Sequence, residues 1–217
     1  MSTRPLPAMR IKNRWFKGDA PKSATEQASV MAFIVWRVAQ QMLLRMRGAQ
    51  FDIDAGSPYF AFLREVLVFL IAVTDRMAFR RLGENNRAEF TVGLVRHVAR
   101  TLQENEDRLL GVPIDGVASH ADTFISQVNA LSDHYAEFPG EPATGDDDLG
   151  FQPGFAFVRY LGSRLEATVP EKDRRWVIDQ VMAIETPEAL GIVQRSMQEL
   201  FDPEAAPRPA RSRLSGD

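Results

Sequence analysis

Two stretches of this chain are apolar on every side of a helix, and they decide most of what it can become. Met31 to Trp36 reads Met-Ala-Phe-Ile-Val-Trp, and Val66 to Val73 reads Val-Leu-Val-Phe-Leu-Ile-Ala-Val. A surface helix hides one stripe, whereas a segment with no polar face has to be covered from several directions. The longest uncharged apolar runs, Gln27–Trp36 and Val66–Thr74, are each about half the roughly 20 residues a membrane span requires. Protein is therefore expected to cover them, and no transmembrane segment is expected. The cover is either a core of several helices or a second copy of the chain, because an apolar interface resembles a core cut in half. A homodimer built on one of these two helices is the expectation.

The surrounding sequence supports helices and little else. Ser23-Ala24-Thr25-Glu26 has the pattern of a capping box, which predicts a first helix from about 24 to 48, ended by Gly48. Gly56-Ser57-Pro58 restarts the chain, with Ser57 as cap and Pro58 in the first turn of a second helix running to about Leu82. A third is predicted over about 87–110, its apolar stripe comprising Phe90, Leu94, Val95, Val98, Leu102 and Leu109. Gly111-Val112-Pro113 breaks it, and a fourth follows over about 116–137. Three shorter helices are expected near 153–168, 171–184 and 187–202, the last opened by Thr186-Pro187-Glu188. No stretch alternates apolar and polar residues long enough for a strand, so the fold class is an all-α bundle of six to seven helices. The domain spans 23–202, preceded by an arm over 1–22 and followed by a Pro-, Ala- and Arg-rich tail over 203–217.

A net charge of −3 conceals a strong polarity. Residues 1–22 carry six basic groups against Asp19, a net +5, whereas 111–152 carry eight acids and no Lys or Arg, a net −8. Within the second region, 139–152 reads as an acidic loop full of turn residues. The arm interleaves Arg10, Lys12, Arg14 and Lys17 with Ile11, Trp15 and Phe16. Such a segment can lie on an anionic lipid surface, contact phosphates or dock on an acidic protein face. An unidentified protein, or the acidic region of the same chain or of a second copy, is the partner we expect. Peripheral membrane contact through Arg10, Lys12, Arg14, Trp15, Phe16 and Lys17 is the lesser reading. A nucleic-acid partner is not expected: repressors of this length need a short helix-turn-helix near one end, and here the first helix is long and strongly apolar.

Catalytic signals are sparse. The chain has no cysteine, which removes disulfides, thiolate metal sites and thiol nucleophiles. The three histidines are His97, His120 and His134. The last two would stand about 21 Å apart on one helix, and Leu94, Val117 and Leu131 occupy the positions three before each histidine. No Glu-x-x-His pair of the di-metal kind is therefore present. Neither a metal nor a cofactor is expected, and no phosphate-loop, dinucleotide or nucleophile-elbow motif occurs. The leading reading is a non-enzymatic assembly factor, adaptor or regulator. Its first alternative is a small-molecule or lipid binder, with a cavity between the second, third and fifth helices lined by Phe62, Phe69, Phe155 and Phe157. Asp75, stranded at the end of the apolar run, would be either its polar group or half of an ion pair with Arg76, Arg80 or an arginine of another helix. The second alternative is an enzyme with a dispersed site drawing on Asp75, Glu65, His97 or an arginine. Arginine outnumbers lysine 22 to 4, a bias of GC-rich bacterial coding sequence, and, as no continuous apolar run suggests a signal peptide, the expected location is the cytoplasm.

Overall fold

The computed structural model describes residues 22–141 and 151–202. The basic arm, most of the acidic loop and the tail lie outside the described residues. Helices follow in the order α1 (Ala24–Gly48), α2 (Ser57–Arg81), α3 (Glu84–Leu110), α4 (His120–Glu137), α5 (Phe155–Glu166), α6 (Glu171–Gln180) and α7 (Thr186–Phe201). The fold is an all-α bundle. The short pairing of Gly140 with Pro153 and Glu141 with Gln152 is antiparallel and pins the base of the acidic loop.

Side-chain contacts fix the helix directions. Thr25 at the start of α1 bonds Glu89 near the start of α3, so these two run parallel. Arg64 reaches Glu106 and Arg87 reaches Asp75, which makes α2 antiparallel to α3. Gln127 meets Glu65, and the carbonyl of Tyr135 meets Arg76, so α4 runs with α2. Arg164 reaches Glu65 while Phe157 packs on Phe69, which sets α5 against α2. α2 is the middle of the molecule. Phe62, Leu63, Val66, Leu67, Leu70, Val73 and Met77 are all completely enclosed.

That enclosure answers the covering problem within one chain. α2 has the length and hydropathy of a membrane span, yet two thirds of its apolar window, 67%, is buried by neighbouring helices. About half of α1 is core as well, from Ala28 and Met31 through Val35, Ala39 and Leu43 to Met46. A narrow outer line of α1 stays exposed, including Phe33 and Leu44.

Capping decides the ends. Ser23 and Glu26 form the reciprocal box at α1, and Ser119 accepts from the Asp122 amide at α4. Three boundaries differ from the sequence expectation. Gly56 rather than Ser57 caps α2, α3 begins three residues early at Glu84, and α4 begins at His120 because 115–117 are turn and bend and Ser119 caps the helix. The expected break before Thr186 does not exist. α6 continues through one wide turn of π-helix, Val181–Glu185, straight into α7. Pro187 stands at the start of α7, directly after the π-turn.

Gly162 of α5 shows why a costly helical glycine is kept. A Cβ there would sit 3.2 Å from the Cα of Ile178, so α5 and α6 meet backbone to backbone. Gly93 plays the same part between α3 and α1, facing Ala28. Gly154 caps the start of α5.

Candidate functional site

The residues expected to line a ligand cavity do not converge on one. Phe62, Phe69 and Phe157 are core, at 0%, 1% and 0% exposure, whereas Phe155 is 67% exposed on the outside of α5. Phe69 and Tyr135 each pack on Phe157, with ring centroids 5.5 and 4.8 Å away, and Phe151 closes the group at 5.7 Å. These are edge and tilted contacts of a filled aromatic core. The Tyr135 hydroxyl is enclosed there without a hydrogen-bond partner among the described residues. Burial, reinforced by the negative charge of Glu65, pushes its ionisation far above the ordinary tyrosine range.

Asp75 takes the structural option. Arg87 of α3 grips it with Nε at 3.1 Å and Nη2 at 2.6 Å, and the Thr91 hydroxyl donates to the same carboxylate. The Arg87 guanidinium also lies 4.9 Å from the centroid of the exposed Phe79 ring. Asp75 therefore clamps the end of α2 to the start of α3, and its oxygens are occupied.

Three more carboxylates are buried and each meets an arginine of another helix. Glu65 accepts from Arg164 at 2.6 and 3.0 Å and from Gln127 at 3.0 Å. Glu106 accepts a forked pair from Arg64 at 2.7 and 2.9 Å, with His120 Nδ1 3.4 Å away. Glu185, in the π-turn, accepts from Arg45 at 2.7 Å and Gln180 at 3.0 Å. Apart from Glu65, none of these acids was singled out by the sequence. The signal available was weak, since a pair across two helices depends on their rotation about their own axes. Hydrogen-bonded pairing is what permits such charges in the interior.

The π-turn pair carries a pH prediction. Burial raises the Glu185 carboxyl above the ordinary glutamate range, and outweighs the opposing pull of the Arg45 charge and of the hydrogen bonds from Arg45 and Gln180. The folded protein thus holds this proton more tightly than the unfolded chain. Its contribution to stability is complete below the unfolded pKa, about 4.3, and is lost as pH rises through the folded value. Glu185→Gln removes that loss. Urea unfolding from about pH 4 to 7 should show the variant gaining stability relative to wild type as pH rises. A relative loss with rising pH would contradict the assignment.

Histidines stay at the margins. His120 Nε2 donates to the Gly111 carbonyl at 3.1 Å, and His134 stacks loosely on Tyr160. Among the described residues, no three His, Asp or Glu side chains gather as a metal site.

The distinctive feature is on the surface. At the α3–α4 turn, Leu109, Val112, Ile114 and Val117 are 66%, 75%, 78% and 59% exposed, with Leu110 beside them at 40%. Their backbone is held in place. His120 fixes the Gly111 carbonyl, the Val117 amide bonds the Ile114 carbonyl, and Gly111 and Gly116 take positive φ of 90° and 86°. Only glycine adopts such angles without strain. Leu109 was expected in the buried stripe of α3. It is exposed instead, at the C-terminal end of α3. Leu110 passes close to Gly56, so the turn shares one end of the bundle with the α1–α2 connection and its Asp52 and Asp54.

The same end holds two open clefts. One, of about 520 Å³, is bounded by Gln50 and Phe51 after α1 and by Trp176, Asp179, Gln180 and Ile184 along α6 and the π-turn. The other, of about 380 Å³, lies between Asp52–Ala61 and Ala167–Pro170.

Comparison of the chain with known protein families, with curated proteins and with solved structures finds no match.

Proposed function

We propose that this protein works through protein–protein contacts, as an assembly factor, adaptor or regulator, and that the α3–α4 turn is its docking shelf. The exposure of Leu109, Val112, Ile114 and Val117 in one pinned segment carries the reading, since contiguous apolar surface on a folded protein marks an interaction site. Local charge describes the partner. Asp107, Asp115 and Asp122 accompany the shelf, and 111–152 contains no Lys or Arg. The fitting occupant is a protein presenting an apolar patch with a basic rim. An anionic bilayer fits less well, because these acids would be brought against like charge. The expected homodimer uses a different surface.

Val112→Asp with Ile114→Asp tests the shelf. Both side chains project into solvent, so the helical circular dichroism and melting point should remain those of wild type. A partner captured from the native cell and then purified should bind the double variant at least about tenfold more weakly. Its binding to wild type should weaken with added salt, as a charged rim requires. Equal affinity for both proteins, or binding of wild type to phosphatidylglycerol vesicles in place of any protein, would overturn the reading.

A further inference from the structure

The outer line of α1 has the spacing of a helix-pairing seam. Val30, Phe33, Arg37, Gln40, Leu44 and Arg47 succeed one another at alternate intervals of three and four, and all are exposed or half-buried. That is the heptad interval by which two helices lie side by side. Phe33 and Leu44 are 62% and 63% exposed, and eleven residues bring them to within about 20° of the same direction.

A two-fold axis makes the seam choose its own register, because whatever residue i meets in the second copy, that residue meets i in return. Apolar meets apolar when Phe33 lies against Leu44 of an antiparallel second copy. The same setting puts Arg37 opposite Gln40 and Val30 opposite the aliphatic stem of Arg47. It also carries Ala24 just past the end of the second copy's α1, so the chain upstream of α1 starts beside the second copy's α1–α2 connection.

That connection walls the larger cleft. Trp176 and Ile184, 54% and 46% exposed, offer apolar surface there beside the carboxylates of Asp173 and Asp179. One side of the indole already carries the Arg175 guanidinium, 4.8 Å from the ring centroid, so this ring takes a cation readily. The basic arm has the complementary composition, with Arg10, Lys12, Arg14 and Lys17 around Ile11, Trp15 and Phe16. Its own cleft is out of reach for the aromatic part. Twenty-five residues of α1 separate the two by about 37 Å, and the nine residues from Trp15 to Ala24 extend at most about 31 Å.

We infer that the protein is an antiparallel two-fold dimer across α1, in which the arm of each copy occupies the α6–π-turn cleft of the other. This deepens the homodimer reading and is independent of the docking shelf. The seam is one residue wide, too narrow for a stable dimer alone, and the exchanged arms enlarge it toward the area such dimers bury.

The absence of cysteine permits a direct test on the full chain. Phe33→Cys with Leu44→Cys should give disulfide-linked dimers on mild oxidation. Either single substitution should not, because two copies of residue 33 would stand about 16 Å apart in this register. By sedimentation velocity the wild-type chain should be a dimer, and Leu44→Asp should make it monomeric with its melting point retained. Asp179→Lys with Trp176→Ala should raise the dimer Kd at least about tenfold and reduce its salt dependence. A monomeric wild type, or linkage as efficient from one cysteine as from two, overturns the seam. A Kd unchanged by the cleft variant overturns the arm exchange. A monomer that still captures a partner through the shelf would leave the proposed function standing.

Discussion

Replacing Glu106 by alanine is expected to cost about 3–5 kcal/mol of folding stability, the loss typical of breaking a buried ion pair from one side. Glu106 is 1% exposed, and both its oxygens accept from Arg64, whose side chain is itself only 15% exposed. Removing the carboxylate leaves a guanidinium enclosed between α2 and α3 with nothing to replace its lost water. The expense lies in the orphaned charge and not in the attraction itself, because taking two ions out of water consumes most of what their Coulomb energy returns. Arg64→Met combined with Glu106→Leu should therefore recover most of the loss. Urea denaturation of both variants measures the difference. A single-variant loss below about 1 kcal/mol would mean that Arg64 swings to solvent and that the pair is peripheral.

Phe69→Ala is expected to destabilise by about 3–5 kcal/mol as well, through a different mechanism. The ring is 1% exposed and packs on Phe157 and Tyr135, so truncation leaves a cavity that helices fixed on several sides cannot close. The size of the effect separates core from pocket. A ring lining a ligand cavity already lacks neighbours on one face and gives up less on truncation. A measured loss below about 1.5 kcal/mol would restore the apolar binding site that Phe62, Phe69 and Phe157 suggested.

How far the sequence could be read depends on the range of the interaction. The α1 capping box was legible because Ser23 and Glu26 are three residues apart and need only each other. The helices were legible because burial recurs at the helical period. Phe155 shows that period neglected: it precedes Phe157 by two positions, about 200° away round the helix, so the two could not line one wall. The join of α6 to α7 was hidden by Pro187, which reads as a start signal but also fits the first turn after a π-bulge. Arg64 and Glu106, forty-two positions apart, carry no local mark of their pairing. The docking shelf was hidden for a related reason, since Leu109 and Val112 have the composition of core and only the packing of the whole bundle leaves them in water.

By itself the sequence determined the all-α class, the helices and most of their ends, the burial of α2 and the separation of charge between arm and acidic region. These follow from hydrogen bonds and side-chain spacings within a few residues. Tertiary structure alone decided which arginine neutralises each buried acid, which phenylalanines are core, and which apolar residues remain uncovered. Those depend on the rotation and length of one helix relative to another, and that is set by the packing of the whole bundle.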